Sequence, residues 1–210
     1  MKKILLISFC CLAFNMTSKA QQYSKGYLDS VKEFFNDWVQ DKKPADIHFI
    51  SEYTPGDSGS FNMNYEINSL MGTKDNYKTY SYKRVYKANG TYESVKNDSL
   101  SLSKKEKKMI SEQLKKQAAN QFNWDKTFFA TSAFVKQKYM DSLFMHNHFK
   151  TIFTGGIWEF SLPVFLKNKP FCVLFHVYIP CSQGGEQAIE LYKKEKGHWV
   201  KFGTVVSGDW

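Results

Sequence analysis

The sequence predicts an α+β fold, an antiparallel β meander packed with one long N-terminal amphipathic helix and a second surface helix. Three observations carry that prediction. Residues 23 to 42 repeat apolar side chains at helical spacing, residues 77 to 96 alternate with a period of two, and residues 162 to 206 read as successive apolar strands broken by turn signals.

The first twenty residues come before this domain. Met1-Lys2-Lys3 supplies a positive end, Ile4 to Phe14 an apolar run, and Ser18-Lys19-Ala20 small residues at the two positions a signal peptidase reads. The expected organisation is a signal peptide over 1–20 and a single α+β domain over 21–210. An eleven-residue helix reaches only about 17 Å, short of the roughly 30 Å hydrocarbon core, so no transmembrane segment is expected in the mature chain. Cys10 and Cys11 sit inside the apolar run, which disfavours lipidation. The expected location is therefore the periplasm or the cell exterior.

Removal of Lys2, Lys3 and Lys19 lowers the net charge from +9 to +6. A basic chain invites a nucleic-acid reading, yet Arg84 is the only arginine and every other basic residue is a scattered lysine. Base and phosphate readers lean on arginine's planar fork, so nucleic acid is not an expected partner. Aromatic residues make up 17% of the chain, which argues for a packed core.

Tyr27, Leu28, Val31, Phe34, Phe35, Trp38 and Val39 form one apolar stripe, and Pro44 stops that first helix. Trp38 closes the stripe and is expected in the core. Ile47 to Tyr53 fits a short strand, residues 54 to 59 a loop, and residues 61 to 76 have no clear period. From Tyr77 onward Tyr80, Tyr82, Arg84 and Tyr86 share one face of a strand, and Asn89-Gly90 offers the positive φ angles of a tight hairpin. That tyrosine face suits stacking on a sugar or an aromatic ligand; the commoner arrangement for such a face is half-burial against the first helix.

Ser103-Lys104-Lys105-Glu106 is a capping box opening a helix to about Asn120, with Met109, Ile110, Leu114 and Ala118 as a narrow apolar stripe. Residues 124 to 149 predict short strands or turns. Leu162 to Leu166 and Phe171 to Ile179 predict antiparallel strands, the second apolar on both faces and so central. Gln187 to Lys193 and Trp199 to Val206 predict a last hairpin turning at Glu195-Lys196-Gly197-His198.

Leu102-Ser103-Lys104-Lys105-Glu106, Trp124, Trp158, Ser161 to Asn168, Phe171-Cys172, Gly184-Gly185-Glu186 and Tyr192 to Trp199 occur in that order. Together they resemble a group of uncharacterised exported bacterial proteins over roughly residues 100 to 206. The group carries no assigned activity, so the resemblance implies fold boundaries and no mechanism. Its members show a Cys-Gly-x-x-Cys-Gly-x-Gly turn where this chain reads Pro180-Cys181-Ser182-Gln183-Gly184-Gly185-Glu186-Gln187.

Candidate chemistry is sparse. Cys181, with His176 and Glu186 near it in sequence, supplies a nucleophile, a base and an orienter by residue type, though at no familiar spacing. His176 in a central strand is more often a core histidine. His146 and His148, two residues apart, with Asp141 nearby, form a weak metal-ligand pattern; surface histidines are the default, and neither a metal nor another cofactor is expected. The residues selected for binding are Cys181, His176, Glu186, Tyr80, Tyr82 and Tyr86. The expectation is a binding or interaction module for an unknown ligand or envelope protein, with a secreted hydrolase using the 176–186 turn as its rival and a structural envelope protein as a third possibility. In a nine-residue extended strand Cys172 and Cys181 would stand about 30 Å apart, against the roughly 7 Å a disulfide allows. Cys172 is thus expected as an inert buried thiol and Cys181 as the reactive one.

Overall fold

The computed structural model describes residues 23–41, 49–51, 63–72, 77–87, 90–130, 132–136, 156–180 and 185–209. The element order is α1 (Lys25–Asp41), β1 (Phe49–Ser51), α2 (Met63–Gly72), β2 (Tyr77–Tyr86), β3 (Tyr92–Leu102), α3 (Lys104–Ala119), β4 (Ala133–Val135), β5 (Ile157–Phe160), β6 (Val164–Phe165), β7 (Phe171–Ile179), β8 (Glu186–Glu195) and β9 (His198–Asp209). Residues 1–20, read above as a signal peptide, and Cys181, Asp141, His146 and His148 lie outside the described residues. Among the described residues no helix is long and apolar enough to cross a membrane.

Among the described residues seven strands form the main sheet in the order β4-β1-β5-β7-β8-β9, with β6 also paired to β7. Strands β5 to β9 pair antiparallel, but β1 runs parallel to both β4 and β5, so the sheet is mixed rather than a pure antiparallel meander. Parallel neighbours require crossovers, and a short strand far along the chain from both partners leaves no turn signal from which to read its direction. Strand β7 begins and ends where its apolar run does, and both its faces are covered. Its odd-numbered residues, Phe171 to Ile179, pack with Ile67 and Leu70 of α2 and Ile110 and Leu114 of α3. On the other face Cys172 and Leu174 join Val31, Phe34, Phe35 and Trp38 of α1. The chain thus places a helix layer on each side of one central sheet, which is the way an apolar strand buries both faces.

Helix α1 has 17 residues, an ordinary length rather than a long one. Lys25, Asp29, Glu33, Asn36 and Gln40 face solvent, while Phe34, Phe35 and Trp38 stand in an aromatic core with Trp124, Phe129, Trp158 and Phe160. Helix α3 opens on the capping box: the Glu106 amide donates to Ser103 Oγ at 3.3 Å and the Ser103 amide to the Glu106 carboxylate at 2.8 Å. Its buried face also carries Gln117, which donates to the Leu162 carbonyl at 3.1 Å and accepts from the Leu162 amide at 2.8 Å. The nitrogen and the oxygen of this buried side-chain amide are therefore both paired to the segment leading into β6, where an unpaired amide would cost about 1–3 kcal/mol.

Strand β5 was not legible in the sequence, and Gly156 is what admits it. Gly156 has φ +71°, and a Cβ there would lie 2.7 Å from the Ile179 carbonyl oxygen and 2.6 Å from the Tyr178 ring. Only glycine fits so close an approach to β7.

Cys172 is wholly buried, and burial pushes its thiol well above the ordinary range. Because the thiolate is the nucleophile, Cys172 should resist alkylation in the native protein and react only on unfolding. Peptide mapping after brief native labelling checks this; rapid modification of Cys172 would mean that β7 is not central.

Candidate functional site

Polar residues gather on the α1 side of the main sheet because of the β7–β8 register. His176 pairs with Ala188, Tyr178 with Glu186 and Leu174 with Glu190, so Glu186, His176, Glu190 and Tyr192 share a face. His176 and Glu190 are each only 3% exposed. The Glu190 carboxylate accepts from Tyr192 Oη at 2.6 Å, faces His176 Nε2 at 3.2 Å, and takes a further hydrogen bond from Lys201 on β9. Trp38 Nε1 on α1 donates to Tyr192 Oη at 2.8 Å, which joins the helix to this polar chain.

The electrostatics follow from that arrangement. Burial alone would raise the Glu190 carboxyl, but His176, Lys201 and Tyr192 outweigh it and hold the group at about 2. Burial first, and then the Glu190 charge, push the Tyr192 phenol far above its ordinary value. Since ionised Glu190 only accepts, Nε2 of His176 carries a proton. Nδ1 of the same ring is buried and has no hydrogen-bond partner. Glu186 stands exposed at the start of β8, yet one of its carboxylate oxygens, one from Glu190 and one His176 ring nitrogen all lie within 4.8 Å of one another.

The structure therefore brings together two of the sequence candidates, His176 and Glu186. Sequence reading passed over Glu190, Tyr192, Lys201 and Trp38 as polar partners. A signal for Glu190 was present: a carboxylate between Ile189 and Leu191, both buried, interrupts a core run, and a buried acid needs a partner.

The tyrosine candidates form a separate feature. Strands β2 and β3 make a two-stranded sheet with a register shift at Ser81/Tyr82, which leaves Tyr82 opposite Lys96, Arg84 opposite Ser94 and Tyr86 opposite Tyr92. The base of this hairpin is anchored: Leu100 and Leu102 are buried, Lys193 donates to Asp98 at 2.5 Å, and Lys169 donates to the Ser101 carbonyl at 2.7 Å. Beyond Ser81 every described residue of β2 is exposed, so about 17 Å of ribbon stands clear of the core. The expected packing of the tyrosine face on α1 does not occur for these residues: Tyr82 is 59%, Tyr86 71% and Tyr92 53% exposed, whereas Tyr80 is half-buried. The cause is that α1 packs across β7, β8 and β9, and its apolar stripe is consumed there. Cations sit on the rings instead, Lys96 Nζ 4.1 Å from the Tyr80 centroid and Arg84 Cζ 4.9 Å from that of Tyr92.

No family model, no curated protein and no solved structure matches the chain.

Proposed function

We propose that this chain is an exported binding module whose recognition element is the β2–β3 hairpin, and that its ligand is an acidic carbohydrate. The observation that carries the reading is the exposure of Tyr82, Tyr86 and Tyr92 on one face, with Arg84 between Tyr82 and Tyr86 and Lys96 opposite Tyr82. Exposed tyrosines offer flat, amphipathic surfaces to sugar rings at small cost in side-chain entropy. The two cations on that face supply the complement to carboxylate or sulfate groups. A two-stranded ribbon contributes little to stability by itself, so a set of large aromatic side chains held outside the core is poorly explained by folding.

Affinity electrophoresis against an acidic polysaccharide (polygalacturonate) and a neutral one (laminarin) tests the proposal. The native chain should be retarded by the acidic polymer, less so as salt is raised. The triple variant Tyr82→Ala, Tyr86→Ala, Tyr92→Ala should lose at least tenfold in affinity while its melting temperature moves by no more than a few degrees. Equal retardation of the variant and the native protein would refute the assignment. The rival reading, a hydrolase centred on the 176–186 turn, draws support from the convergence of His176 and Glu186; it predicts turnover that the hairpin variant retains.

A further inference from the structure

We propose that His176 and Glu186 hold a divalent zinc-class ion, with Glu190 as the anion that orients the histidine. Two independent observations lead there. Donor atoms of His176, Glu186 and Glu190 come within 4.8 Å of one another, although the three residues are drawn from two strands. The His176 ring is nine-tenths buried, and its Nδ1 has no partner. A buried polar atom left unpaired costs about 1–3 kcal/mol, so the Nδ1 lone pair calls for a partner.

The tautomer selects the ligand atom. Glu190 already accepts from Tyr192 and Lys201, and its role toward the ring is to accept the Nε2–H hydrogen bond. In the neutral imidazole that leaves the lone pair on Nδ1. Metal-bound histidines are arranged in this way, one nitrogen on the ion and the other donating to a carboxylate. One His176 ring nitrogen lies within 4.8 Å of a Glu186 oxygen, which puts Nδ1 at most about 7 Å from it, and two ligands about 2.0–2.2 Å from one tetrahedral ion stand roughly 3.3 Å apart, so the site needs a closure between the two side chains. Glu186 can supply it, being exposed and free to rotate at the start of its strand. Nitrogen with carboxylate oxygen suits zinc better than magnesium or calcium, which favour all-oxygen sets, and with two protein ligands the remaining positions belong to water.

The test uses the mature chain, stripped with a chelator and titrated with zinc chloride. Calorimetry should show one site per chain, and a long-range proton–nitrogen NMR spectrum should show the Nδ1 resonance of His176 moving while Nε2 keeps its proton. Glu186→Gln, at an exposed position that leaves the core untouched, should weaken binding at least tenfold, and Glu190→Gln should weaken it by about 10- to 100-fold. Zinc that leaves the His176 resonances unchanged and instead shifts His146, His148 or His198 would overturn the proposal. Unchanged affinity in Glu186→Gln would overturn it as well. None of these readouts involves the hairpin, so they stand apart from the carbohydrate test.

Discussion

Trp38→Ala should lower the unfolding free energy by about 3–5 kcal/mol, the range for removing a large aromatic side chain from a packed core. Trp38 is 2% exposed and stands edge-on to Phe35, Trp158 and Phe160, with centroids 6.4, 5.4 and 4.8 Å away. Its loss opens a cavity between α1 and the sheet that rigid aromatic neighbours cannot fill. It also removes the indole donor to Tyr192 Oη. Trp38→Phe retains most of the apolar contact and loses the donor, so it should cost about 1–2 kcal/mol. Denaturant melts of both variants decide the matter. A change under about 1 kcal/mol for the alanine variant would place α1 at the periphery of the fold.

That α1 lies over the sheet was legible in the sequence because seven apolar side chains fall on one stripe. Strand β7 was legible because its residues are apolar without alternation, and the β8–β9 hairpin because Lys196 and Gly197 occupy positive φ, at +50° and +91°, where the turn was expected. Strand β6 lies within the expected Leu162–Leu166 strand and pairs antiparallel with β7 as expected, whereas β4 and β5, at three and four residues, are too short to show a period, and their partners are chosen by tertiary packing. The helix α2 was missed for a related reason: only Ile67 and Leu70 of its described side chains are buried, too few to show a helical repeat.

The site was legible in part and for mixed reasons. Residue type pointed to His176 and Glu186, but the partner that shapes His176 is Glu190, fourteen positions along and on the neighbouring strand. Such a pairing depends on β7–β8 register, which a sequence specifies only once the turn between the strands is known. The tyrosine face was read correctly as a face, and its environment was not. Alternation states which side chains lie together; it does not state whether anything covers them.

Glu190→Leu should destabilise the protein by about 3–5 kcal/mol, because removing this buried acceptor strands two buried donors, His176 and Tyr192, at about 1–3 kcal/mol each. His176 would then be buried with neither nitrogen paired, and Tyr192 would have an indole donor above it and no acceptor below. Lys201 matters less, since it is 42% exposed and can turn to water. The informative variant is the double one, His176→Leu with Glu190→Leu. Burying a carboxylate with an imidazole is expensive, and replacing such a buried polar pair by apolar residues is often neutral or stabilising. The double variant should therefore lose clearly less than the sum of the two single variants, by about 1–3 kcal/mol in a double-mutant cycle. If it folds as well as the native chain, packing does not account for placing a histidine and a glutamate there, and the reason has to be sought in what they bind. If instead Glu190→Leu alone stays within about 1 kcal/mol of native, the hydrogen-bonded chain from Trp38 to His176 is not formed in solution, and the zinc site that depends on it falls with it.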